Sequence, residues 1–456
     1  MKINIVSTNP PNVPHLKRVL GLWDLIFYGI MLVQPIAAVT LFGIASKVSR
    51  GQMVTTLLIA MAGMMLTAIS YGRLASLFPS AGSAYTYVGK GLNTHLGFMA
   101  GWAMFLDYLI IPIINTMYAA FTLQRFIPSV PFFVWVVMFV VIITFLNLRG
   151  IKTVAGFNKL MLAVMCTVIC IFIVLAIQYI FRQQGWNGLL SSRPFYNPAT
   201  FNFGDVMTAT SFAALTYIGF DGVTTLAEDV KNPKRNMLLA PVLVCLFTGL
   251  FSGLQIYLAQ QVWPDYNSFP KIETAFFDVA ARVGGQFLFN AIAVILFIAS
   301  LGSGLAGQVG AARLLFAMGR DGVLPGKIFS HLNSKSTTPT YNIIIMGVLT
   351  LIGSLVLSYQ SAAELINFGA FLAFMGVNIA SFRQFYLLRT SKQNRSLIRD
   401  AILPILGFLV CFSIWLSLPN LSKILGGIWF IAGLVYLMIK TNGFRKAPVI
   451  LDFKEV

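Results

Sequence analysis

The chain is built from apolar runs, each about as long as a bilayer is thick. A membrane-spanning helix needs about 20 predominantly apolar residues. Twelve such runs occur, at roughly 20–46, 53–78, 95–126, 132–149, 158–181, 205–229, 238–262, 286–316, 340–358, 363–387, 401–418 and 425–440. They are continuous rather than alternating, which excludes a β-barrel. With 57% hydrophobic and only 10% charged residues, the composition also excludes an ordinary soluble domain. Lipid offers no partner for a backbone N–H or C=O, so each run must satisfy its own backbone as a helix. The expectation is an all-α polytopic membrane protein of twelve transmembrane helices.

A net charge of +18 would suit a nucleic-acid binder, but the placement of the charges argues otherwise. With the amino terminus in the cytoplasm, 24 of the 32 Lys and Arg residues fall on the cytoplasmic side and 8 on the other. That bias predicts both termini in the cytoplasm of a cell-membrane protein. The first apolar run is too long for a cleaved signal and lacks a small-residue cleavage site, so it is expected to be retained. The four cysteines all lie in predicted spans without ligand spacing. They read as buried apolar residues.

Two runs are broken. Residues 204–236 are apolar enough to enter a bilayer, yet Gly219, Phe220, Asp221 and Gly222 interrupt the pattern. A carboxylate at membrane depth costs about 2.5–3.5 kcal/mol on insertion scales, and each glycine lowers helix propensity by roughly 1 kcal/mol relative to alanine. A helix that only anchors has no use for both; one that presents backbone groups and an acid to a passing solute does. The plainer alternative is a kinked helix with Asp221 paired internally. The first run is broken at Val33-Gln34-Pro35-Ile36, after Gly29, where Pro35 removes a backbone donor. The breaks fall in the first and sixth spans, five apart. Because five is odd, the second half would insert with opposite orientation. This predicts two inverted five-helix repeats, 19–181 and 204–389, two additional helices within 390–440, and cytoplasmic tails at 1–18 and 441–456.

Other residues join the candidate site by depth and position. Asp107 lies about 13 residues into the third span, and an intramembrane acid is a functional hypothesis by default. Asn115 follows two turns later, about 80° away around the helix. Tyr217 precedes the second break, Ser300 and Ser303 lie in a small-residue stretch of the eighth span, and Asn367 lies in the tenth. Gly97 and Gly101 have the small-xxx-small spacing that admits a close neighbour. Residues 79–91 read as a cytoplasmic loop. Residues 263–284 read as an outer loop holding a short helix over the site.

Several chemistries have no motif here. There is no Gly-rich Lys-Ser/Thr phosphate loop for nucleotide-driven transport. The histidines, His15, His95 and His331, form no metal cluster, and no hydrolase elbow is present. No cofactor, no metal, no nucleic-acid partner and no enzymatic activity are expected.

The stretches YGRLASLFPSAGSAYTY, NLRGIKTVAGFNK, FDGVTTLAEDVKNPKRN, RLLFAMGRDGVLP and LINFGAFLAF span nearly the whole chain and together resemble the amino acid–polyamine–organocation family. Within it, GSAYTY, GFMAGWAMFLDYLIIPIIN, GFDGVTTL and LINFGA are most similar to bacterial putrescine importers. The resemblance implies the five-plus-five inverted-repeat, leucine-transporter-like fold. It also implies a central site between the first, third, sixth, eighth and tenth spans, and uptake coupled to an ion gradient. Amino-acid permeases of the family usually carry Gly-Ser-Gly at the first break, where backbone N–H groups hold a carboxylate. Here Val33 to Ile36 weaken that cradle and favour a substrate without a carboxylate. Some proton-coupled relatives have a lysine in the fifth span, and Leu162–Val168 has none. Protons remain favoured over sodium, since the eighth span lacks an adjacent hydroxyl pair.

The expected function is therefore secondary active import of putrescine or a similar small amine. An amino-acid permease or amine/amino-acid exchanger is the alternative. Short tails disfavour a membrane sensor, and the missing catalytic constellation disfavours an intramembrane enzyme.

Overall fold

The computed structural model describes residues 20–78, 83–149, 154–320, 324–332, 339–388 and 396–445. Fifteen α-helices follow one another: α1 Leu22–Val33, α2 Ala37–Val48, α3 Met53–Leu77, α4 Ser83–Gly91, α5 Thr94–Phe126, α6 Phe132–Arg149, α7 Val154–Leu189, α8 Phe203–Ala213, α9 Pro233–Val262, α10 Ala275–Arg320, α11 Gly326–Phe329, α12 Thr340–Val356, α13 Tyr359–Phe382, α14 Leu403–Leu416 and α15 Asn420–Lys440. Each of the twelve apolar runs contains helix. Among the described residues, eight helical segments are long and apolar enough to cross a membrane, and α1 with α2, bent by 46°, make a ninth if they form one span. The apolar helices α6 and α12 are shorter, and α8 gives way to 3-10 turns.

Local chemistry fixes where the helices begin. Asn93 Oδ1 accepts from the Leu96 N–H at 2.8 Å, Asn202 Oδ1 from Asp205 at 3.0 Å, and Ser358 Oγ from Ser361 at 3.0 Å. Each takes up an N–H that the first turn would leave unpaired. α9 opens on Pro233, which has no N–H to lose.

The structure corrects two expectations. Ser83–Gly91 is a helix rather than a loop, while 79–82 lie outside the described residues. The small residues of α5 serve this helix: a Cβ on Gly97 would lie 2.6 Å from Gly89 Cα, and one on Gly101 2.9 Å from the Tyr85 ring. Apolar Ala84, Tyr87 and Val88 of α4 are buried in return, which holds it in place. Second, Cys170 is exposed and Cys166 half-buried on the outer face of α7; only Cys245 and Cys411 are buried. The short outer helix expected within 263–284 is present over residues 275–283, set off from the eighth apolar run by the non-helical backbone of Gly284 and Gly285, where Gly285 has φ 62°.

Polar contacts lock the two ends of the bundle. At one end Arg73 of α3 reaches Asp400, just before α14, at 2.5 Å and the Arg399 carbonyl at 2.6 Å. At the other end Arg125 of α5 pairs with Asp278 of α10, and Arg50 with Asp205 at 2.6 Å. Between them, Asn378 donates to Thr67 at 3.1 Å, and the Thr67 hydroxyl lies 3.2 Å from Cys411 Sγ, tying α13, α3 and α14.

Candidate functional site

The first break forms at Gln34. Its φ of 65° and ψ of 119° lie outside the helical region, and Ile36 closes the gap at φ −108°. Proline at 35 forbids a continuous ladder and disfavours helical geometry at the residue before it, so Gln34 turns. Two other helices hold the break. Gln34 Nε2 donates to the Ala299 carbonyl of α10 at 3.2 Å, and Gln255 Nε2 of α9 donates to the Pro35 carbonyl at 3.0 Å. The Gln34 N–H is taken by the Ile30 carbonyl and the Ala37 N–H by the Gln34 carbonyl.

The second break forms at Ile218–Gly219. α8 tightens into a 3-10 turn over Ala214–Tyr217, Ile218 is extended, and Gly219 adopts φ 114° before a second 3-10 segment, Phe220–Asp229. Only glycine enters that region without strain. The two breaks meet here, in ordinary contact at Gly219 and more tightly at Gly222. A Cβ on Gly219 would lie 3.4 Å from the Leu32 carbonyl, and one on Gly222 2.7 Å from Leu32 Cδ1. Gly29, one turn before Leu32, is similarly enclosed by Val244 and Val223.

A cavity of about 110 Å³ opens beside this junction. Gln34, Thr40, Asn115, Ser303, Tyr118 and Tyr359 supply its polar wall. Leu32, Val33, Ile111, Ile114, Leu215, Ile218 and Ile366 are among its apolar neighbours. Asn115 Nδ2 donates to Ser303 Oγ at 3.0 Å and to the Ile111 carbonyl at 2.8 Å, leaving its carbonyl oxygen for the cavity. Tyr118 is buried and its hydroxyl has no hydrogen-bond partner. No charged side chain lines the cavity.

The two acids stand behind the wall. Asp107 precedes Ile111 by one turn of α5, about 6 Å along the axis, and Asp221 follows Ile218 by three residues. Both are 3% exposed, and they lie within electrostatic reach of each other. Ser83 Oγ approaches Asp221 Oδ2 at 3.5 Å, while Asp107 Oδ1 lacks a hydrogen-bond partner among the described residues. Asp221 occupies the first turn of its 3-10 segment, where unpaired N–H groups favour a carboxylate. Among the described residues neither acid has an ion-pair partner.

Of the residues singled out from the sequence, Gln34, Asn115 and Ser303 share the cavity; Pro35 and Gly219 adjoin the lining residues Gln34 and Ile218 in sequence, and Asp107 and Asp221 do not line it. Tyr217, Asn367 and Ser300 do not line it. Tyr217 is fully buried and donates to the Leu57 carbonyl of α3 at 2.9 Å. Asn367 donates to the Ser211 carbonyl at 2.5 Å, tying α13 to α8. Ser300 is buried on α10. Sequence reading missed Gln255, Thr40, Tyr118 and Tyr359. The pairing of Gln255 with a freed carbonyl is a long-range contact with no local signature. It also missed Glu364, a buried acid of α13 that accepts from Gln360 at 3.0 Å and from Ser422 of α15.

Two broken helices meeting beside a small, mostly neutral cavity, inside a bundle of apolar helices, define a membrane solute carrier. The chain belongs to the amino acid permease family, whose model matches residues 20–447. It is 33% identical over 448 residues to the low-affinity putrescine importer PlaP of Escherichia coli, covering 96% of this chain and 97% of that one. It is 25% identical to the branched-chain amino acid permease BcaP of Bacillus subtilis, with 94% of each covered. It is also 25% identical to a methylthioribose transporter of Bacillus subtilis, with 93% of each covered. Among solved structures, the manganese transporter of Eremococcus coleocola superposes with a TM-score of 0.52 at 13% identity, covering 96% of this chain and 97% of that one, a likeness of fold alone.

Proposed function

We propose that the chain is a secondary active transporter that imports putrescine or a similar small amine across the cytoplasmic membrane, coupled to protons. In this reading it spans the membrane twelve times with both termini in the cytoplasm. Its repeats are 19–181 and 204–389, related by inversion, and the last two spans are additions. The observation that carries the reading is Asp221, a buried carboxylate just past the second break, with Asp107 in reach and no basic side chain paired to either among the described residues. A cationic amine supplies the missing charge. The first break points the same way. Pro35 has no N–H, and the N–H groups of Gln34 and Ala37 are already spent, so little remains to hold a substrate carboxylate. The name of the Escherichia coli relative supports an amine.

One observation favours the amino-acid reading: the cavity wall is rich in aliphatic side chains and some relatives are amino-acid permeases. Counterflow separates the two. Proteoliposomes preloaded with unlabelled putrescine should accumulate labelled putrescine, and preloading with leucine should not drive that accumulation. Accumulation of labelled leucine alone would overturn the amine assignment.

A further inference from the structure

We infer that Leu32 is the partition between the neutral cavity and the acid pair, and that a substrate's ammonium group reaches Asp221 only when the Leu32 side chain swings aside. The inference rests on the amine-transport reading and adds a specificity-determining residue to it.

Three observations carry it. Leu32 lines the cavity and at the same time places Cδ1 against Gly222, the residue next to Asp221. Its neighbours on that side of the cavity, Val33 and Ile218, are also aliphatic. Val33 is 4% exposed and enclosed by packing, whereas Leu32 is 37% exposed and less confined. The polar groups thus form two sets. Gln34, Asn115 and Ser303 face the cavity; Asp107, Asp221, Ser83, Tyr71 and Tyr87 do not line it and form a cluster of their own, with Ser83 Oγ 3.5 Å from Asp221, the Tyr71 and Tyr87 rings in contact, and Asp107 and Tyr71 within electrostatic reach of Asp221.

This arrangement has a chemical use. A carboxylate open to the cavity would attract any passing cation. One behind an aliphatic side chain is reached only by a solute whose contacts at the neutral set hold it long enough for the leucine to move. Discrimination then comes from the neutral groups and binding energy from the acid, with Leu32 ordering the two steps.

The test reads accessibility, not transport, so it does not depend on which solute is carried. With Cys166, Cys170, Cys245 and Cys411 replaced by alanine, Asp221→Cys is exposed to aminoethyl methanethiosulfonate, a small primary amine that modifies thiols. Leu32→Ala should speed that modification roughly tenfold, the factor given by lowering a barrier by about 1.4 kcal/mol. Ser303→Cys, on the cavity itself, should react at the same rate with leucine or alanine at 32. If Asp221→Cys fails to insert, Ser83→Cys reports on the same chamber. Equal rates at the inner position with either residue at 32 would overturn the partition. Acceleration at both positions would overturn it too, since Leu32 would then be a general packing residue. A positive result with no putrescine binding by the parent protein would leave the partition standing and remove the amine assignment.

Discussion

The indole of Trp102 donates to the Trp429 carbonyl at 2.9 Å, and the indole of Trp429 donates back to the Trp102 carbonyl at 3.1 Å. The rings stack with centroids 4.8 Å apart, and Gly433 of α15 leaves room for Trp102. This reciprocal clasp binds α15 to α5, which carries Asp107 and Asn115. Interhelical hydrogen bonds in membranes average about 0.6 kcal/mol. Trp429→Phe keeps a ring and loses one donor, so it should lower stability by about 1 kcal/mol or less. Trp429→Ala should cost several times more, roughly 3–5 kcal/mol. Thermal unfolding in detergent checks both, and equal shifts would show that the hydrogen bond, not the ring, holds the helices.

Asp221→Asn keeps the shape and removes the charge. Stranding a buried charge without its partner costs roughly 3–5 kcal/mol. The substitution should therefore weaken putrescine binding by about two to three orders of magnitude, at about 1.4 kcal/mol per tenfold. Asp107→Asn should weaken it less while leaving insertion intact. Direct binding to purified protein is the readout, because uptake mixes affinity with cycling rate. An asparagine variant that binds as tightly as the parent would remove Asp221 as the amine's partner.

Gly219→Ala and Gly222→Ala differ by one methyl each and should behave differently. At Gly219 the backbone has φ 114°, and the nearest atoms are the Leu32 carbonyl. An L-residue in left-handed geometry costs roughly 1–2 kcal/mol, and that backbone cost, not a clash, is what the methyl adds, since 3.4 Å is ordinary contact. At Gly222 the obstacle is the end of a leucine side chain. Transport should fall steeply in the first variant and modestly in the second, at matched membrane abundance.

Arg73 and Asp400 form a buried pair supported by the Ser396 N–H and by Arg73 stacking 3.9 Å over Phe385. Arg399 also contacts Asp400 and is half exposed, so water reaches the edge of the cluster. Breaking the pair with Asp400→Asn should cost about 2 kcal/mol, below the value for a dry pair. The double variant Arg73→Met, Asp400→Leu should recover most of it. A double variant less stable than either single would contradict this.

Cysteines placed at Gln184 and Tyr266 should react with an impermeant thiol reagent in intact cells, and one at Arg445 should not. The basis is the 24-to-8 partition of basic residues. The reverse pattern would invert the proposed orientation.

The helical runs and the two breaks were legible because both are local. Apolar length and the Pro35 and Gly219–Gly222 interruptions act within a turn or two of the chain. What was hidden depends on distant contact. Pro35 announces that a helix opens, but that Gln34 takes the positive φ, and that Gln255 takes the freed carbonyl, is decided by α9 and α10. Tyr217 and Asn367 have the polarity of site residues, yet they spend it on Leu57 and Ser211. Residues 83–91 read as a loop because their helical pattern is short and glycine-rich, and only burial against α5 makes them a helix.

The grip on Gln34 and Pro35 from two neighbouring helices has a mechanical consequence. A break held from both sides would act as a fulcrum for any movement of α1, which would tilt about residues 34–36 rather than slide past them. Displacement along a lever grows with distance from its support. Leu22 lies twelve residues from Gln34, about 18 Å along the helix, and would sweep the widest arc, so the bond from the Lys231 N–H to the Leu20 carbonyl at 2.8 Å is the one such a tilt would strain first. Leu32, two residues from the pivot, would barely translate and would respond by side-chain rotation.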